Sequence, residues 1–367
     1  MKRAFLIRKR IPVFLLAGLL LGASLLGGCK ASNTNQVTAY DPGDYSAILP
    51  YESSDMRGKH VGLISNIDVR MQLENGLMSL SKEYFPNDEV GYKTHAFLDF
   101  DELDATDGSR GLLGTLRDEN PNGLNPGADE PFDTGNGEVS GPIILVDLYE
   151  LDFYQNDSLR GISIGLAVTD RVSQDGQEYE ITPEAMENYL KVTSNKLVTY
   201  LRQRFNEISS RIPILVCAYQ LNTDPNSVDK GGYIYEAYFN GNSTDYRTID
   251  EIYVIVPSND FSERDPEMAS QFTQFKNDVA TVLADSTYTT GEAKFENGKC
   301  VSLRLNVQTY GKTSGEILAV IQSVREKLGV FTSQECEYRV AIYNNKNVAA
   351  LLYRPLQSTG VNVITTF

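Results

Sequence analysis

The stretch from Gly161 to Phe239 leaves few folds open. Ile162, Ile164, Leu166 and Val168 alternate with Gly161, Ser163, Gly165 and Ala167, the period of a strand with one bulky and one small-residue face. Thr182 and Pro183 then open a helix as N-cap and first-turn proline. Leu190, Leu197, Leu201, Phe205 and Ile208 form its apolar stripe. Ile212 to Tyr219 and Tyr233 to Phe239 read as two further strands, with another at Ile252 to Val256. A strand, a long amphipathic helix and two strands in succession must bury a sheet face beneath that helix.

The last third repeats the order. Asp265 and Pro266 open a helix with Met268, Phe272, Phe275, Val279 and Val282 on one side. Glu292 to Glu296 and Lys299 to Val307 flank Asn297-Gly298, a two-residue hairpin turn. Thr313 and Glu316 form a capping box for a helix striped by Ile317, Ile321, Val324 and Leu328. Glu337 to Tyr343 and Val348 to Tyr353 come next, joined by Asn344 to Asn347. Strand–helix–strand–strand thus occurs over 161–240 and again over 300–354. The expected fold class is α+β, with mixed and antiparallel sheets, packed helices and a pseudo-repeat of these units.

Upstream, Gln72 to Tyr84 is expected as a short helix, with Leu73, Leu77, Leu80 and Tyr84 on one face. Residues 104–140 are rich in Gly, Pro, Asn and Asp, and only Leu112 to Leu116 looks helical there. So long a loop is often functional. Ile143 to Leu148 then starts the strands.

The N-terminus is an address. Lys2, Arg3, Arg8, Lys9 and Arg10 precede an uncharged apolar run from Ile11 to Leu26, which ends in Gly27-Gly28-Cys29. This is the layout of a secretory signal, cut between Gly28 and Cys29. A thiol at the new N-terminus can carry a diacylglycerol thioether and further acyl chain, and two or more chains anchor a protein stably. The competing reading, an uncleaved spanning helix, needs roughly 20 apolar residues, and this run holds Pro12, Gly18 and Gly22. Residues 1–28 are therefore expected as signal peptide and 29–44 as lipidated cysteine and polar tether. Two α+β parts complete the chain, over 45–257 and 258–367. The expected location is the outer face of the cell membrane, held by the lipid on Cys29.

The chain carries a net charge of −16, and five of its cations lie in the first ten residues. The remainder of the chain is more acidic still, which excludes nucleic acid as a partner. Of four cysteines, Cys217 lies in a buried-strand pattern. Cys300 and Cys336 are either free thiols or a pair, and the oxidising compartment admits both.

Three motifs come close to chemistry and stop short. Gly161-Ile162-Ser163-Ile164-Gly165 has the spacing of a nucleophile elbow, but that fold places its His after the Ser, and His60 and His95 both precede Ser163. Gly311-Lys312-Thr313 looks like the end of a phosphate loop, but its first Gly is replaced by Asn306. Asp99, Asp101, Glu102, Asp104 and Asp107-Gly108 are dense in carboxylates at a spacing that no EF-hand uses. An irregular calcium site and a solvated acidic loop both stand. His60 and His95 lack partners at zinc-ligand spacing. No catalytic residue, metal site or dissociable cofactor is expected.

An ordered set of stretches resembles the CamS family, the lipoproteins also called sex pheromone precursors of Gram-positive bacteria. They are Leu49-Pro50-Tyr51 with Arg57-Gly58, Leu73 to Ser81 with Phe85, Gly123-Leu124-Asn125-Pro126, Gly161 to Ala167, Gly315-Glu316-Ile317 with Gln322, and Leu351 to Arg354. The segment 220–290 matches poorly. The resemblance implies a surface lipoprotein, and that the discarded end of the signal peptide, here around Leu21 to Gly28, can be trimmed to a short apolar mating signal. It implies no activity for the domain.

Three functions are compatible with these residues. The first is a non-catalytic envelope protein that binds a peptide, glycan or protein, with Gly123, Leu124, Asn125 and Pro126 as candidate binding loop because an Asn-Pro-Gly loop is rigid and displayed. The second is an envelope hydrolase using Asp147, Glu150 or Asp152. The third makes the domain mainly a carrier for the signal-derived peptide.

Overall fold

A computed structural model of the chain describes residues 43–105, 111–224, 226–283 and 287–367. The first half carries helices α1 (Asp55–His60), α2 (Ile67–Ser81), α3 (Phe100–Leu103) and α4 (Pro183–Arg204). Its strands are β1 (Ser46–Ala47), β2 (Gly91–Thr94), β3 (Pro131–Asp133), β4 (Glu138–Ser140), β5 (Leu145–Gln155), β6 (Ser158–Thr169), β7 (Arg171–Gln174), β8 (Gln177–Glu180), β9 (Ile214–Leu221), β10 (Gly231–Asn240) and β11 (Ser243–Thr248). Seven of these form one sheet in the order β1-β2-β5-β6-β9-β10-β11, and β3-β4 and β7-β8 are separate hairpins. The second half carries α5 (Asn259–Arg264), α6 (Pro266–Ala280) and α7 (Ser314–Lys327). A six-stranded sheet runs in chain order through β12 (Glu251–Val256), β13 (Tyr288–Glu296), β14 (Lys299–Thr309), β15 (Glu337–Asn344), β16 (Asn347–Arg354) and β17 (Asn362–Thr365).

The α+β class and its pseudo-repeat are both present. Along β2-β5-β6-β9-β10-β11 the neighbours run antiparallel, antiparallel, parallel, antiparallel, antiparallel. Along β12 to β17 they run in the same sequence. In each of these six-strand runs the one parallel step is crossed by a helix, α4 or α7, as parallel neighbours require, and β1 adds a second parallel step at the edge of the first sheet. The chain changes sheet at Asp250, between β11 and β12.

Local chemistry sets the elements. Thr182 Oγ1 accepts from Ala185 N at 3.3 Å and Pro183 starts α4. The stripe Leu190, Leu197 and Leu201 is fully buried against the first sheet, while Phe205 is extended and ends the helix short of Ile208. Asn297-Gly298 turns β13 into β14 with both residues at positive φ, and Thr313 and Glu316 close a reciprocal capping box on α7.

The small-residue face of β6 receives α2. A Cβ on Gly161 would lie 2.0 Å from the Phe85 ring, so only glycine fits there. Ser163 is buried, its Oγ accepting from Ser81 Oγ at 2.7 Å. It serves packing, with no histidine in contact.

Two expectations need correction. The helix expected over Gln72 to Tyr84 begins five residues earlier, capped by Asn66, whose side chain accepts from Asp68 N and Val69 N. It ends at Ser81, and Tyr84 turns off to stack on Tyr238 and donate to Glu236. Leu112 to Leu116 is not helical. Leu112 N and Leu113 N donate to Glu102 O and Leu103 O, and Leu116 N to Asn125 O, so tertiary bonds replace the helical ones.

The two sheets meet where β12 runs beside residues 228–230. Lys230 N donates to Tyr253 O at 2.8 Å and Ile255 N to Val228 O at 2.9 Å. Tyr253 joins Tyr219 and Tyr233 in the apolar cluster beneath α2, and Glu251, paired within its own sheet with Lys294 at 2.8 Å, accepts from Tyr233 N of β10 at 3.4 Å.

Candidate functional site

Cys29 and Gly28 lie outside the described residues, as do Asp107 and Gly108. The candidate loop Gly123 to Pro126 is described, and it walls a cavity of about 790 Å³ against α4 and the β3–β4 hairpin. One close approach and six hydrogen bonds fix the loop. A Cβ on Gly123 would meet the Thr115 backbone at 2.5 Å. Lys196 Nζ donates to Gly123 O, and Tyr189 Oη donates to Leu124 O at 3.3 Å. Asn125 Nδ2 donates to Leu113 O and Leu145 O, while Oδ1 accepts from Ile144 N and Leu145 N, both at 2.8 Å. That uses the full bonding capacity of the amide. Asn125 holds the loop and has nothing left for a ligand.

The ligand-facing surface comes from elsewhere. Asn188, Val192 and Lys196 follow one another at helical spacing along α4 and line the cavity. Val192 is 69% exposed, an apolar residue off the buried stripe. Leu116 and Phe132 add apolar wall, and the exposed carboxylates of Glu130, Asp133 and Glu184 line the same space. Burial lowers the Lys196 pKa. The signal that could have found this face was Val192, whose side chain has no place in the core stripe.

Asp147, Glu150 and Asp152 converge along β5 with both histidines. Arg57 grips Asp147 with two bonds of 2.8 and 2.9 Å and donates a third to Leu148 O. His60 stands between Asp147, 3.0 Å from Nδ1, and Asp104, 2.7 Å from Nε2. Burial pushes the Asp147 carboxyl up, but hydrogen bonds from His60 and Arg57 outweigh it and hold it below the usual range. Glu150 accepts from Phe97 N and Leu98 N, and Asp152 from Ala96 N. Burial, followed by the charge of Asp152, pushes Glu150 well up, and burial pushes Asp152 to about 6. His95 Nδ1 stands 3.8 Å from Glu150 Oε2, and burial with the charge of Arg57 lowers that imidazole to about 3. These groups tie α1 and the 95–104 segment to β5.

The acidic run is likewise absorbed. Asp99 caps α3, Glu102 accepts from Tyr200 and from Arg204 at 2.6 and 2.8 Å, and Asp104 meets His60. Among the described residues no three His, Cys, Asp or Glu side chains gather as a metal site.

A family model described as the CamS sex pheromone cAM373 precursor matches residues 51–359. The chain belongs to the CamS family. Its fold is that of a sex pheromone precursor from Lactobacillus salivarius subsp. salivarius UCC118, at 18% identity and a TM-score of 0.76, over 90% of this chain and 98% of that one. The C-terminal domain of the sex pheromone staph-cAM373 precursor from Staphylococcus aureus is similar at 21% identity and a TM-score of 0.68, over 83% of this chain and 98% of that one. No curated protein gives a significant match. In this CamS chain two of the family-like stretches meet: Tyr51, Arg57 and Gly58 of one and Glu74, Leu77 and Met78 of the other line one cavity of about 600 Å³.

Proposed function

We propose that this CamS chain is a non-catalytic binding protein of the cell surface, cut before Cys29 and held on the membrane by lipid there. The reading of the N-terminus rests on the basic head, apolar run and Gly27-Gly28-Cys29. The binding reading is carried by the cavity beside Gly123 to Pro126, a rigid wall facing an unpartnered helical face with Val192 at its centre. Apolar walls with Glu130, Asp133 and Glu184 beside them suit a short peptide bearing apolar and basic side chains. The segment Leu21 to Gly28 is in addition the source of a short released peptide.

Palmitate labelling tests the anchor. Cys29→Ser should abolish labelling and leave the signal uncut, and continued labelling would refute it. Crosslinking on intact cells, with Val192→Glu as comparison, tests the site: the variant should lose the peptide-bearing partner that the unchanged chain captures. Capture undiminished by the variant would place binding elsewhere. The gathering of Asp147, Glu150 and Asp152 with two histidines favours the hydrolase as second reading. Its weakness is that the three carboxylates are tied to Arg57, His60 and backbone N–H groups. Hydrolysis of a peptide or glycan substrate abolished by Glu150→Gln would favour it.

A further inference from the structure

We propose that Cys300 and Cys336 form a disulfide that ties the start of β14 to the start of β15. Their Sγ atoms lie 3.8 Å apart. Both side chains are buried in the core of the second half.

Regular alternation would not bring them together. Leu303, Leu305 and Val307 of β14 face the helices α5, α6 and α7. Counting back by twos from Leu303, Cys300 would turn to the opposite face with Ser302 and Arg304. The β13–β14 register breaks there: Lys294 faces Ser302 and Phe295 faces Cys300. Val301 is left over as the extra residue of a bulge, which returns Cys300 to the core side. On β15, Tyr338, Val340 and Ile342 face the same core, and Cys336 is in phase with them. A disulfide needs sulfurs ~2.05 Å apart. The remaining movement is small and falls at two strand ends, one of them already irregular.

Besides each other, the thiols meet backbone carbonyls, and Cys336 also meets the Tyr338 hydroxyl. Cys300 Sγ reaches Ser302 O at 3.7 Å and Cys336 Sγ reaches Glu337 O at 3.3 Å, both weak S–H contacts. The adjacent Cys336 sulfur and burial push the Cys300 thiol up. Such a pair makes a structural bond rather than an exchange catalyst. The bond would span 36 positions and enclose α7, stapling the crossover unit β14–α7–β15.

The oxidant is a small or protein disulfide. One cysteine thiolate attacks it, releasing the first thiol and leaving a mixed disulfide. The second cysteine thiolate attacks the protein sulfur of that bond, and the second thiol leaves. Two S–H bonds are lost and one S–S bond forms. The oxidant takes up the two electrons and two protons as two thiols. The setting in the cell depends on export of the chain, but the test supplies its own oxidant and does not.

The full chain, purified in detergent, is unfolded and reduced, refolded in a mixture of reduced and oxidised glutathione, then alkylated in denaturant and digested without reductant. One linked peptide pair joining Cys300 to Cys336 is expected, with Cys217 alkylated. The melting temperature should rise by roughly 5 °C and fall back with reductant. Alkylation of both Cys300 and Cys336, or glutathione on each without a link, overturns the proposal. In Cys300→Ser, Cys336 should be recovered alkylated, with no link and no thermal gain. An equal gain in that variant would also overturn it.

Discussion

His95 holds a left-handed backbone, φ 50°, with its ring buried beside Glu150. Burial and then the charge of Arg57 lower its pKa to about 3, against ~6.5 in an unfolded chain. The folded state therefore prefers the neutral ring. Its stability is complete above the unfolded value and is lost as pH falls through the interval towards 3. By about pH 4 this costs about 3 kcal/mol. Urea melts at neutral and acid pH should show the wild type losing about 3 kcal/mol more than His95→Asn, which tolerates the same backbone. Parallel losses would mean that the ring is not buried neutral. Asn125 offers a second test. Asn125→Ala removes four hydrogen bonds and leaves Ile144 N and Leu145 N buried without acceptors. Denaturant melts should register a loss of about 3 kcal/mol, and a loss below about 1 would show the loop to be held by something else. Neither role was legible in sequence, because each depends on groups far along the chain.

Among the elements, α7 shows how a motif residue works at a helix end. Arg354 ends β16 and is buried, and its cation is met by carbonyls and a ring. The guanidinium lies 3.9 Å over the Tyr338 ring and donates to Leu328 O at 2.7 Å and Phe331 O at 2.9 Å. The carbonyls that end α7 and the turn after it carry partial negative charge, which balances the cation. Arg354→Lys should destabilise by about 2 kcal/mol, since an ammonium cannot reach both carbonyls in one plane. Equal melts of variant and wild type would refute the capping role. The elements were read well where their signals were local. Thr182-Pro183, Asn297-Gly298 and Thr313 with Glu316 act within a few residues and stand where expected. Leu112 to Leu116 misled because its N–H groups found distant carbonyls, and the start of α2 was missed because Ile67 and Met71 are apolar yet exposed.

For the whole molecule, two copies of one topology are joined rather than strung together. Backbone bonds between β12 and residues 228–230, the ring of Tyr253 beneath α2, and Glu251, which accepts from Tyr233 N of β10 while Lys294 of its own sheet neutralises it, bridge the join. Burial pushes Glu251 up, while the charge of Lys294 opposes it. Calorimetry should therefore give a single unfolding transition, and Lys294→Met should lower it as one, by about 3 kcal/mol, by leaving the buried Glu251 unpaired. Two resolved transitions would show halves that unfold independently.

The residues by themselves determined the strand and helix periods, the caps, the turn at Asn297-Gly298 and the order of units that repeats. These are encoded in near neighbours, through hydrogen-bond geometry and the two side-chain periods. Only the tertiary structure decided that Asp147, Glu150 and Asp152 gather with His60 and His95, and that Val192 faces a cavity walled by Gly123 to Pro126. It also decided that one extra residue at Val301 turns Cys300 towards Cys336. Each depends on which distant backbone fills a neighbour's hydrogen bonds or register, and a pattern of periods does not carry that.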